Sequence, residues 1–125
     1  MEATSTSYER RFEQRPGYLY SEITAPVITV KMASKYLDEV AKKCRELNAQ
    51  RLMIERHIPV TLSSIAAYEV IMAFFERSPE VRFVFVEPEE INLVKMDLGI
   101  RIAHVHEVDV EVFDTVPKAE HWLMR

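Results

Sequence analysis

The residues of this 125-residue chain that could do chemistry are four histidines, one cysteine, a trio of hydroxyls and scattered carboxylates. His104 and His106 stand two apart, so on a strand they would share a face and could grip one metal ion. On a helix they diverge by about 200° and cannot share it. No further His or Cys at a recognised ligand spacing accompanies them, so neither a metal nor a cofactor is expected. His57 precedes Ile58-Pro59 at the end of a predicted strand, the place where open α/β sheets put their ligands. Glu87, Glu89 and Glu90 could serve as acid–base groups only with a pocket partner; as acids at a helix start they favour the dipole. Cys44 falls late in a predicted helix on its apolar stripe, which reads as a small buried hydrophobe. With only Gly17 and Gly99 there is no glycine-rich phosphate loop. These residues form no catalytic constellation, and a non-enzymatic protein is expected.

The elements that must position these residues follow from periodicity. Residues 1–17 are rich in Ser, Thr, Glu and Arg and close on Arg15-Pro16-Gly17, which predicts a flexible arm. Residues 18–22 and 27–31 carry β-favouring side chains around Thr24-Ala25-Pro26 and predict a hairpin. Over 34–48, Tyr36, Leu37, Val40, Ala41, Cys44 and Leu47 recur at three and four, the stripe of an amphipathic helix. Leu52-Met53-Ile54 supplies the next strand, and Pro59 stops it.

Thr61, Ser63 or Ser64 can then cap a helix running to about Phe75. That helix is apolar nearly all round, with Glu69 and Glu76 as its clear solvent markers, and so should be buried on more than one side. Residues 81–86 are apolar at nearly every position, as in a central strand covered on both faces. Ile91, Val94, Leu98, Ile102 and Val105 fall at spacings of three and four and predict one helix over 89–106, despite Gly99 costing about 1 kcal/mol in its interior. The alternation from Val108 to Phe113 predicts a last strand. It runs directly into a capped helix, which Trp122 anchors to the core.

Composition sets the outer bounds. At 48% hydrophobic and 29% charged the chain is that of a folded protein, and residues 18–125 are expected to form a single domain. A net charge of −4 gives no electrostatic reason to expect nucleic acid. A single cysteine excludes an internal disulfide. The polar first 14 residues lack the apolar run of a secretory signal, and no window approaches the roughly 18 apolar residues of a membrane span. A cytoplasmic protein without membrane insertion is expected.

The order β-β-α-β-α-β-α-β-α, with the closing run 102–113 and then Ala119 and Trp122-Leu123 in the last helix, resembles the STAS-like domains, named for sulphate transporters and anti-sigma-factor antagonists. The resemblance covers about 18–123. It implies an α/β fold with a mixed, largely parallel sheet, an N-terminal edge hairpin and helices packed against the sheet. It also implies action through protein contacts, with a phosphorylation switch that would fall at Thr61, Ser63 and Ser64. Leu62 and Ile65 stand where that family's pattern has an acidic residue and a glycine, which favours reading Ser63 or Ser64 as a plain helix cap.

Two functions are therefore expected. The first is a regulatory or interaction module that self-associates, as a homodimer, through Ile65, Tyr68, Met72 and Phe75 on the apolar helix. The alternative is a binding domain for a small apolar or lipid-like ligand, lined by Tyr68, Met72, Phe74 and Phe75.

Overall fold

In the computed structural model, which describes residues 7–125, five strands and four helices alternate after an initial hairpin. They are β1 (Glu9–Arg15), β2 (Tyr18–Thr24), α1 (Val30–Leu47), β3 (Arg51–His57), α2 (Ser64–Arg77), β4 (Arg82–Val86), α3 (Glu90–His104), β5 (Val110–Phe113) and α4 (Val116–Leu123). The sheet order is β1-β2-β3-β4-β5, with β1 antiparallel to β2 and every later pair parallel. The fold is thus α/β, with a mixed, largely parallel sheet edged by an N-terminal hairpin. Among the described residues, no helix is long and apolar enough to cross a membrane.

Strand order explains the layers. Each parallel crossover from β2 to β5 steps in the same direction, and right-handed connections then put α1, α2 and α3 on one face. Leu19, Ile23, Leu52, Ile54, Phe83, Phe85, Val110 and Val112 meet them there in the main core. On the opposite face the smaller core gathers Tyr18, Tyr20, Met53, Val84 and Val86 under Ala119 and Leu123 of α4. Strand β4 is buried on both faces, as its continuous apolar run requires.

The hairpin lies one strand upstream of its expected place. Residues 9–15, read above as part of a flexible arm, form edge strand β1, and Pro16-Gly17 is the two-residue turn joining paired Arg15 and Tyr18. Gly17 has φ +89°, which a side chain would resist, and a Cβ there would meet Met124. The sequence Glu-Arg-Arg-Phe-Glu-Gln-Arg disguises a strand because an edge benefits from charge, which blocks further pairing. Its arginines still find aromatic support, the Arg15 guanidinium carbon lying 3.6 Å from the centroid of the Tyr20 ring. Residues 1–6 lie outside the described residues.

Residues 27–31 are not a strand. Val27 makes a single parallel bridge to Val60, and Thr29 then caps α1, its Oγ1 accepting from the Met32 amide at 3.1 Å. Helix α1 ends at Asn48, whose φ of 57° lets its amide bond back to Cys44 and Arg45.

Two burial patterns differ from simple amphipathic reading. Helix α2 sits between α1 and α3, packing against both, while its Phe74 meets Phe83 of β4 with ring centroids 4.9 Å apart, and this consumes most of its apolar surface. Ala67, Val70, Ile71 and Phe74 are buried, Tyr68, Met72 and Phe75 are half-buried, and only Ile65 of its large apolar residues is exposed. Helix α3 does the reverse. It buries Asn92, Met96, Gly99, Ile100 and Ala103, and turns outward the stripe that marks it as a helix in sequence. Ile91, Val94, Leu98 and Val105 are 69%, 63%, 56% and 78% exposed. Close packing decides this orientation: a Cβ on Gly99 would come 2.8 Å from the backbone oxygen of Ser64 and 3.3 Å from the amide of Tyr68.

Candidate functional site

Because α4 runs diagonally from the end of β5 toward the start of β2, where Glu120 meets the Tyr18 hydroxyl, the far ends of β2 and β3 remain uncovered on its side of the sheet. Register fills this open corner with polar groups. Arg11, Glu22 and Glu55 form one row across β1, β2 and β3, and Glu9, Thr24 and His57 form the next. Alternation alone places them there, since Leu19, Ile23, Leu52 and Ile54 point to the opposite core.

Within the corner, His57 Nε2 lies 2.8 Å from Glu22 Oε2 and 3.6 Å from Glu55 Oε2. The second oxygen of each carboxylate is held from outside. Arg11 Nε donates to Glu22 Oε1 at 2.7 Å, and the Tyr20 hydroxyl donates to Glu55 Oε1 at 2.5 Å. The Arg11 bond holds the Glu22 carboxyl below the usual range, while burial and the bond to Glu55 push the Tyr20 hydroxyl up, so Tyr20 stays a protonated donor. All three polar side chains of the cluster are half-buried, and their facing ligand atoms lie within 4.8 Å of one another. Among the described residues this is the one grouping of three His, Cys, Asp or Glu with metal-compatible geometry.

The expected site residues go elsewhere. Ser63 is the N-cap of α2, its Oγ accepting from the Ala66 amide at 3.2 Å. Thr61 Oγ1 instead accepts from Arg56 at 2.6 Å, and Ser64 is the first helical residue. Of the proposed apolar contact residues, Ile65 is 57% exposed; Tyr68 is half-buried and its hydroxyl lies 3.0 Å from His106 Nε2. His104 Nε2 bonds the Val110 carbonyl at 2.8 Å, so the two histidines have separate partners. Helix α3 ends at His104, two residues short of the expected limit, and the chain turns through Glu107 at φ 62°.

Glu87 corrects the reading of the acidic run 87–90 as a solvated helix start. Glu89 and Glu90 are exposed, but Glu87 is fully buried, Oε1 accepting from Arg56 at 2.5 Å and Oε2 from the Glu89 amide at 3.0 Å. Desolvation pushes the Glu87 carboxyl up and the Arg56 guanidinium down from their ordinary values. Each needs the other to remain charged at low cost. A cavity of about 50 Å³ adjoins Arg56, lined among others by Tyr36, Leu37, Leu62 and Met96. None of Tyr68, Met72, Phe74 or Phe75, the expected ligand-lining residues, borders it. Cys44 is buried, and burial raises its thiol to about 11.

Sequence reasoning singles out His57 without its partners: Glu55 shares its face by strand alternation two residues upstream, but Glu22 becomes a neighbour only through the parallel register of β2 on β3. The available signal was a polar residue at alternate positions on two otherwise apolar strands. No protein-family model matches the chain, and no curated protein matches it.

Proposed function

We propose that this chain is a non-enzymatic, STAS-like interaction module that self-associates as a homodimer, with the outer face of α3 as its docking surface. The supporting observation is the exposed stripe Ile91, Val94, Leu98 and Val105, with half-buried Ile102, flanked by exposed Ile65 of α2. Scattered exposed apolar residues need no explanation, but an aligned row along one helix marks a contact surface. Its spacing is also symmetric about Leu98. Ile91 and Val105 lie seven residues to either side, and Val94 and Ile102 four. An antiparallel pairing of two α3 helices with a two-fold axis at Leu98 therefore sets Ile91 against Val105 and Val94 against Ile102 of the second copy. Such self-complementarity is what a two-fold interface demands.

This surface displaces the expected one on α2, whose Tyr68, Met72 and Phe75 are largely engaged within the subunit; Ile65 is the member that carries over. The apolar-ligand alternative has less support: the cavity of about 50 Å³ beside Arg56 falls far below the several hundred Å³ of typical ligand pockets, and a hollow of about 490 Å³ beside Trp122 is bordered by none of Tyr68, Met72, Phe74 or Phe75.

Sedimentation equilibrium at micromolar concentration tests the reading. A dimer is expected for the native chain and a monomer for Leu98→Glu, which would place two carboxylates at the axis. Leu47→Glu, at an exposed position on α1, should leave the dimer intact. A native chain that stays monomeric, or a dimer indifferent to Leu98→Glu, overturns the proposal.

A further inference from the structure

The polar corner at the open ends of β2 and β3 has a second use, independent of the α3 face. We infer that Glu22 Oε2, Glu55 Oε2 and His57 Nε2 form a binding site for a divalent transition-metal ion of the zinc class. Three features of the geometry point there.

The ligand chemistry is a set of two carboxylates and one imidazole, the mixed oxygen and nitrogen donors that first-row divalent ions prefer. The three atoms lie within 4.8 Å of one another, so modest side-chain rotation brings all of them onto one ion. A fourth position faces solvent, where water completes the tetrahedron.

The outer partners are arranged as metal sites arrange them. Metal-binding carboxylates are steadied by donors on the oxygen that does not coordinate, and here Arg11 takes Glu22 Oε1 and Tyr20 takes Glu55 Oε1. Both Oε2 atoms are left turned toward His57 Nε2.

Charge and placement agree. Glu22 and Glu55 face a single guanidinium, Arg11, which Glu13 also shares, and this leaves a net negative corner that favours a cation; Arg15 is engaged with Glu13. Glu22 and His57 stand at the carboxyl ends of parallel strands, the edge where open α/β sheets bind ligands.

Isothermal titration of the untagged full chain with zinc chloride, and visible absorption on titration with cobalt chloride, test this. One equivalent of each ion is expected to bind, with the cobalt spectrum of a four- or five-coordinate site. His57→Ala and Glu55→Gln should each weaken zinc binding at least tenfold while leaving circular dichroism unchanged. Tyr20→Phe should weaken it by about 10-fold to 100-fold through loss of the outer bond to Glu55. Should His57→Ala fail to fold, Glu55→Gln alone decides. Absence of saturable binding below about 100 µM zinc, or binding unaffected by Glu55→Gln and His57→Ala, overturns the inference.

Discussion

Splitting the buried pair Arg56–Glu87 should produce two variants that fail differently with pH. In the native protein both side chains are almost wholly removed from water and meet at 2.5 Å, with Thr61 accepting from the second guanidinium nitrogen. Removing one partner of such a pair leaves an uncompensated buried charge and costs about 3–5 kcal/mol. That is a large share of the roughly 5–15 kcal/mol by which domains are stable.

Arg56→Met strands the Glu87 carboxylate, which retains only the Glu89 amide. Glu87 is already raised by burial in the native chain, and without the guanidinium it rises further. Below the ordinary glutamate range the group is protonated in both the folded and unfolded states, and no charge is buried. As pH rises, the unfolded chain releases the proton and the folded chain keeps it. Stability then falls by up to about 1.4 kcal/mol per pH unit until the folded-state pKa is reached. Arg56→Met should therefore be less damaging at pH 5 than at pH 8. Glu87→Gln strands Arg56, whose guanidinium stays charged throughout that range, so in this variant position 87 should contribute nothing to the change of stability with pH. The double variant Arg56→Met/Glu87→Gln should recover most of the loss.

Urea unfolding followed by circular dichroism and by the fluorescence of the single tryptophan, Trp122, measures all four forms. Single variants each costing under about 1 kcal/mol, or a double variant as weak as the two losses added, would refute the reasoning. A deficit in Arg56→Met that does not grow from pH 5 to pH 8 would do the same.

Gly99→Ala should destabilise the protein by about 1–2 kcal/mol despite a helix-propensity gain of about 1 kcal/mol, because its Cβ would press on the backbone of Ser64; a rise in melting temperature would contradict this. Ser63→Ala removes the cap of α2 and should cost about 1 kcal/mol in chemical denaturation, whereas no change would mean that the amide of Ala66 finds water instead. Cys44, with its thiol raised to about 11, should be almost inert to a thiol reagent at pH 8, where about one molecule in a thousand carries thiolate. Denaturant should expose it fully, and rapid labelling of the native chain would show the burial to be wrong.

Periodicity carried most of the fold, and its failures have physical causes. The order of elements is legible because each helix and each parallel strand has its own apolar pattern. Strand β1 is not, since an edge strand with charged side chains on both faces lacks the alternation that betrays a buried one. Helix α3 was found by its apolar row and then buried its other side, where Gly99 and Ala103 allow close approach to α2. Asn92 on that same side donates to the carbonyls of Ile58 and Pro59. A pattern of spacing states that a face exists but not which surface meets the sheet.

The candidate site divides the same way. Local spacing and side-chain chemistry are enough for an α/β chain, the caps of α2 and α4, the doubly covered strand β4 and the burial of Cys44. The path of the chain in space puts Glu87 inside with Arg56, turns the row on α3 outward and sets Glu22 beside Glu55 and His57. The first and last depend on register and crossover handedness, which bring together residues 31 and 35 positions apart and leave one corner of the sheet without a helix above it; the α3 orientation depends on the close approach of Gly99 to α2.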